Sequence, residues 1–268
     1  MQVLIWPCHG QSVERCVKQV TDASSRVYTY EKREGFVQTQ EASRKSMLVQ
    51  ISVSLSIWSA YYIFLRNFFN KYSAEWISRI VACTHSFISC MLAEWCMFTT
   101  PWLFNRIGDV NFEEYNTVVY VSAGYFIFET IWCIFMRTEG VLMFLHHVTS
   151  LLSLIACAFL QKSGAEVLLT TWGAELTNPF LQIRWFLLEG KMYETSFAFL
   201  NDFIFVGMFF FVRLGLGSVL MYFVHYSNRT AMLFKFGGYL FYFIGILWSY
   251  QIYKFAFKRF YKFSLKKV

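Results

Sequence analysis

A chain built from one apolar run after another, each close to the length that crosses a bilayer, folds where lipid is the solvent. After residue 46 this sequence divides by hydropathy into spans at about 47–66, 79–99, 117–136, 140–161, 165–188, 200–223 and 235–257. About 20 apolar residues in a helix cross the hydrocarbon core, and a helix satisfies its backbone hydrogen bonds internally. The expected fold class is therefore all-α, a polytopic membrane protein of about seven transmembrane helices. Composition agrees: 56% of the 268 residues are apolar and only 15% charged, against about a quarter charged in a soluble chain.

The net charge of +7 does not point to nucleic acid, because the basic residues stand at the ends of apolar runs. One side receives Arg66, Lys71, Arg79, Arg137, Lys191 and the tail residues Lys254, Lys258, Arg259, Lys262, Lys266 and Lys267. The other receives Arg106, Lys162, Arg229 and Lys235. This excess predicts a cytoplasmic C-terminus. The sequon Asn228-Arg229-Thr230 then falls on the non-cytoplasmic side, close to both flanking spans. Residues 1–46, polar and weakly periodic, read as a flexible extension. The opening MQVLIWPCHG lacks a charged n-region, so insertion is expected through an internal helix. Seven cysteines occur without metal-ligand spacing and read as reduced thiols, most of them inside spans.

Ionisable side chains at membrane depth cost roughly 2.5–3.5 kcal/mol on insertion scales, so each needs a partner, a wet cavity or a task. Span two carries His85 and Ser89, one turn apart, and span three carries Ser122, Tyr125 and Glu129 on one face. His85 fits an interhelical hydrogen bond at least as well as a ligand site, and Glu129 fits structural pairing as well as chemistry. Span four holds the adjacent pair His146 and His147. Neighbours on a helix diverge by about 100°, so one can face a cavity while the other meets an adjoining helix. Such a pair suits base or nucleophile chemistry, and no metal site is expected from adjacent positions.

Span five aligns Thr171, Glu175, Asn178 and Gln182 into one polar stripe, with Pro179 interrupting the backbone ladder and Arg184 near the interface. Span six holds Asp202 and Arg213, roughly 16 Å apart along the axis, so each must find a partner on another helix. Glu175 is the natural orienter for the histidines. His85, Glu129, Asn178, Arg184, Asp202 and Arg213 are the candidate lipid or substrate contacts.

The segments EWISRIVACTHS, GYFIFETIW, FLHHVTSLLSL, ELTNPFLQIRWFL and NDFIFVGMFFFVRLGLG resemble, in order and spacing, the TLC domain, named for TRAM, Lag and CLN proteins. The resemblance covers about residues 75–261, leaving 47–66 as an additional helix and 262–268 as a basic tail. It implies a six-helix barrel around a cavity open to lipid or acyl chains, with membrane lipid as the partner. In the ceramide synthase branch the matching histidine pair serves N-acyl transfer from acyl-CoA. That implies acyl-CoA as a substrate, with no cofactor required. Here the following stretch reads WGAELTNPF and offers one acid, Glu175, in place of an aspartate-rich motif, which weighs against ceramide synthesis.

The expectation is a lipid-handling membrane protein of the endoplasmic reticulum or another endomembrane, with the plasma membrane as the alternative. It is an acyltransferase or a non-catalytic sensor or organiser of lipid. A seven-helix receptor is the remaining class, but no DRY-like sequence follows span three and the Asn-Pro sits in span five.

Overall fold

The computed structural model describes the backbone of residues 13–137 and 139–265, with side chains over 41–137 and 139–261. Helices α1 (Val13–Phe68), α2 (Ala74–Thr99), α3 (Glu113–Met136), α4 (Val141–Leu160) and α5 (Gly164–Glu189) follow one another. A sixth pass combines α6 (Ser196–Phe209), a π-helical turn (Phe210–Leu216) and α7 (Gly217–Tyr226), and α8 (Met232–Leu265) closes the bundle. No strand occurs among the described residues, so the chain is an all-α polytopic membrane protein.

Two compact units divide after Leu48. The first, as far as it is described, is the N-terminal part of α1. Residues 1–12 of the expected flexible extension lie outside the described residues, while residues 13–46 belong to α1. The last three residues of the basic tail also lie outside them.

Among the described residues six helices are long and apolar enough to cross a membrane, beginning with Glu41–Phe68 of α1. The remaining expected span, α5, has the length, at 26 residues, but its polar stripe keeps it outside that apolar set. A helix too polar to face lipid belongs inside a bundle. Around it the outward faces are apolar: Phe64, Phe135, Phe203 and Phe243 are each more than half exposed, as a lipid solvent allows.

Local sequence sets the ends. Ser73 caps α2 by accepting from Trp76 N at 3.1 Å. Glu113 and Glu114 complement the positive end of the α3 dipole. Arg137, Gln161 and Ser163 turn the chain with positive φ between α3, α4 and α5. Small residues allow close packing: at Gly124 an added Cβ would run into Ser54 and the backbone of Leu55, while Ser54 donates to the Val121 carbonyl at 2.9 Å.

One end of the bundle is sealed by short links. Asn111 N donates to Gln161 O and Ser163 N to Asp109 O, each at 2.9 Å. Glu166 accepts from Gly108 N on both carboxylate oxygens, at 3.0 and 3.2 Å, and from Thr230 Oγ1 at 3.4 Å. Asp109 is held between Arg106 at 3.1 Å and Arg229 at 2.8 Å. Arg229 and Thr230, two of the three sequon residues, are thus part of this seal.

Candidate functional site

A cavity of about 310 Å³ lies inside the bundle, with lining residues from α2, α3, α4, α5, the sixth pass and α8. Its wall on α5 is the polar stripe. Arg79 Nη1 donates to Gln182 Oε1 at 3.2 Å, Gln182 Nε2 to Asn178 Oδ1 at 2.8 Å, and Asn178 Nδ2 to Ser86 Oγ at 2.8 Å. Ser86 Oγ lies 2.5 Å from Glu175 Oε2. The residues repeat at helical offsets, so one face of α5 carries a hydrogen-bonded chain from the arginine into the bundle. Arg79 is anchored in turn by Glu75 at 2.8 Å and Glu139 at 3.1 Å. Pro179 has no N–H to give the Glu175 carbonyl, and nearby Arg213 Nη2 donates to the Ala174 carbonyl at 3.1 Å.

His146 and His147 both line the cavity and both are buried. They diverge as neighbours on one helix must. The His146 ring packs toward α8, 4.9 Å from Phe241 and 5.0 Å from Trp248 between centroids. His147 turns toward α3 and meets Phe126 at 5.7 Å. Nδ1 of each ring has no hydrogen-bond partner among the described residues, and neither has Glu129 Oε2. Such orphaned groups are uncommon in a protein interior, and these three belong to residues that line one cavity.

Arg213, on the π-helical turn, lines the same cavity and shares Phe241 and Trp248 with His146, its guanidinium 5.7 and 5.9 Å from those rings. No carboxylate stands within ion-pair distance of it among the described residues. It also borders a second, largely apolar crevice of about 330 Å³ that includes Leu169, Val212, Leu216 and Leu220. A cation thus stands where a polar cavity and an apolar one adjoin.

Two candidates belong elsewhere. His85 has no exposed surface and is absent from the lining. It stacks on Tyr125 at 3.7 Å, its Nε2 meets Ser89 Oγ at 2.9 Å, and its Nδ1 lies 3.6 Å from Glu175 Oε2. The order Ser89, His85, Glu175 is that of a serine–histidine–acid relay, but Ser89 has no exposed surface either, so the relay holds helices together. Asp202, also without exposed surface, is a structural anion: Arg259 Nε donates to it at 3.0 Å and Arg184 Nε lies at 3.5 Å. This meets the expectation that Asp202 and Arg213 find separate partners.

Glu175 does line the cavity, but the imidazole its carboxylate meets is that of His85. Glu129, Asn178, Arg184 and Arg213 line the cavity with the histidine pair. Sequence reasoning passed over Arg79, Glu75 and Glu139. Glu75 and Arg79, four apart near a helix start, look like an interfacial pair, and the separation of 60 residues between Arg79 and Glu139 carries no signal.

These features define a polytopic α-helical membrane protein with a polar cavity inside its bundle. The family model of the TLC domain, shared by TRAM, LAG1 and CLN8, matches residues 75–257, and the chain belongs to that family. It is similar to TLC domain-containing protein 4 A of Dictyostelium discoideum, 27% identical over 143 residues, covering 52% of this chain and 55% of that protein. It is similar to protein CLN8 of Mus musculus, 25% identical over 121 residues, 43% of this chain and 41% of the other. It also resembles TLC domain-containing protein 1 of Mus musculus, 26% identical over 161 residues, 59% and 65% respectively. The chain spans about half the length of these relatives.

Proposed function

We propose that this protein takes a membrane lipid or acyl chain into the cavity and transfers the acyl group, with His146 and His147 as base or nucleophile. The observation that carries this reading is the pair of buried imidazoles whose Nδ1 atoms have no hydrogen-bond partner among the described residues, in a cavity bordered by an arginine that has no carboxylate partner among them. Arg213, and Arg184 nearer the interface, would meet an anionic headgroup or phosphate, and the apolar crevice beside Arg213 suits a chain. With acyl-CoA as donor, an imidazole takes the proton of the incoming amine or hydroxyl as it attacks the thioester carbon, and coenzyme A leaves as thiolate. Glu175 acts at one remove, keeping the wall in register through Ser86 and Asn178. The ELTNP and RWFL segments associate the chain with the branch that includes TLC domain-containing protein 5, also called transmembrane protein 136. The proposed setting is the endoplasmic reticulum or another endomembrane, with the C-terminus cytoplasmic.

The test is a comparison of cellular lipidomes between wild type and the His146→Ala, His147→Ala double variant at equal folded abundance. A specific acyl-lipid class should fall in the variant; an unchanged profile rejects catalysis. The engagement of Glu175 by His85, Ser86 and Asn178 favours a second reading, a non-catalytic lipid sensor or organiser whose polar groups hold helices. Lipid that co-purifies with the protein, without turnover of acyl-CoA, supports that reading.

A further inference from the structure

We infer that Glu129, Cys133 and His147 form a three-ligand site for a divalent cation of the zinc type, with its remaining position turned to the cavity. Glu129 and Cys133 stand one turn apart on α3, and His147 faces them from α4. One donor atom from each lies within 4.8 Å of the others. All three are buried, at 7%, 5% and 7% exposure. Glu129 Oε2 and His147 Nδ1 have no hydrogen-bond partner among the described residues. Zinc bonds of about 2.0–2.3 Å put tetrahedral donors roughly 3.3–3.7 Å apart, so the three need close by only about an ångström through side-chain torsions.

The donor set suits the ion. A thiolate, an imidazole and a carboxylate are all donors that zinc, a borderline-soft ion, takes. One carboxylate and one thiolate carry two negative charges, which a divalent ion cancels at a depth where isolated charge is costly. Glu129 and His147 line the cavity whereas Cys133 does not, so the ion sits in the wall and presents an open position to whatever enters. Three protein ligands and one vacant position are the arrangement of catalytic zinc centres, where the metal polarises a carbonyl or phosphoryl oxygen. His146, turned to α8, stays free of the metal, and with His147 held as a ligand it is the imidazole left to act as base in the proposed acyl transfer. The sequence hid this site because its ligands come from two helices at a spacing that matches no motif.

The site is tested on the full chain in detergent, purified through a histidine-free tag, stripped with chelator and dialysed against buffered zinc, with metal read by plasma mass spectrometry. Wild type and His146→Ala should each hold about one zinc per chain, and Cys133→Ser and His147→Ala at least about tenfold less at the same free zinc. Cobalt(II) should give a thiolate-to-metal charge-transfer band that Cys133→Ser lacks. Full zinc retention in Cys133→Ser, or a wild type no richer in zinc than that variant, overturns the site. If a variant fails to fold, alkylation of Cys133 in wild type, followed by peptide mass spectrometry, decides: zinc should slow it at least about tenfold, and equal rates overturn the site. Metal occupancy is read without turnover, so it stands or falls separately from acyl transfer.

Discussion

The sealed end of the bundle and the cavity are both rich in buried polar groups, yet their acids are satisfied to different degrees. At the seal, both oxygens of Glu166 accept hydrogen bonds and both oxygens of Asp109 meet arginines. In the cavity, Glu129 Oε2 and the Nδ1 atoms of His146 and His147 meet no partner. An unpaired buried polar group costs about 1–3 kcal/mol, so a folded chain that carries several in one place is giving up stability there.

The contrast breaks most sharply at Gly108. Its φ is 79°, and an added Cβ would run into the backbone of Arg229 and Thr230, so Gly108→Ala should cost upward of about 2 kcal/mol. Loss of the monodisperse peak in size-exclusion of detergent extracts checks it. Next is Glu166→Ala, which strands the Gly108 N–H and should lower stability by about 1–3 kcal/mol, read as a lower thermal midpoint with acyl-lipid output unchanged per folded molecule. The double histidine variant should do the reverse, shifting stability by about 1 kcal/mol while abolishing lipid turnover. A cavity variant that unfolds as readily as Glu166→Ala would erase the distinction. The smallest effect is expected at Arg229→Ala: the side chain is more than half exposed in its pair with Asp109, worth about 0.2–1 kcal/mol.

Much of this was legible in the residues. Hydropathy located the six helices long and apolar enough to cross a membrane, and the offsets 171, 175, 178 and 182 disclosed the inward face of α5, because helical periodicity is a local property. Adjacency alone said that His146 and His147 must diverge. What stayed hidden depends on which helix stands beside which. Nothing local says that Glu175 meets His85, that Asp202 draws Arg259 across 57 residues, or that Cys133 joins Glu129 and His147. The π-helical turn at 210–216 was equally silent, since its residues would serve an ordinary α-helix as well.

That turn bears on descent. A π-helical turn takes up about one residue more than the α-helix it interrupts, and Arg213 reaches Ala174 from within it. Removing a single residue between 210 and 216 would rewind the pass as plain α-helix, keeping α6 and α7 in register while redirecting the side chains within the turn itself. Gain or loss of one codon could therefore have switched this arginine into or out of the cavity. Among relatives, a one-residue gap at this place should travel with the absence of the arginine, a prediction that an alignment can score.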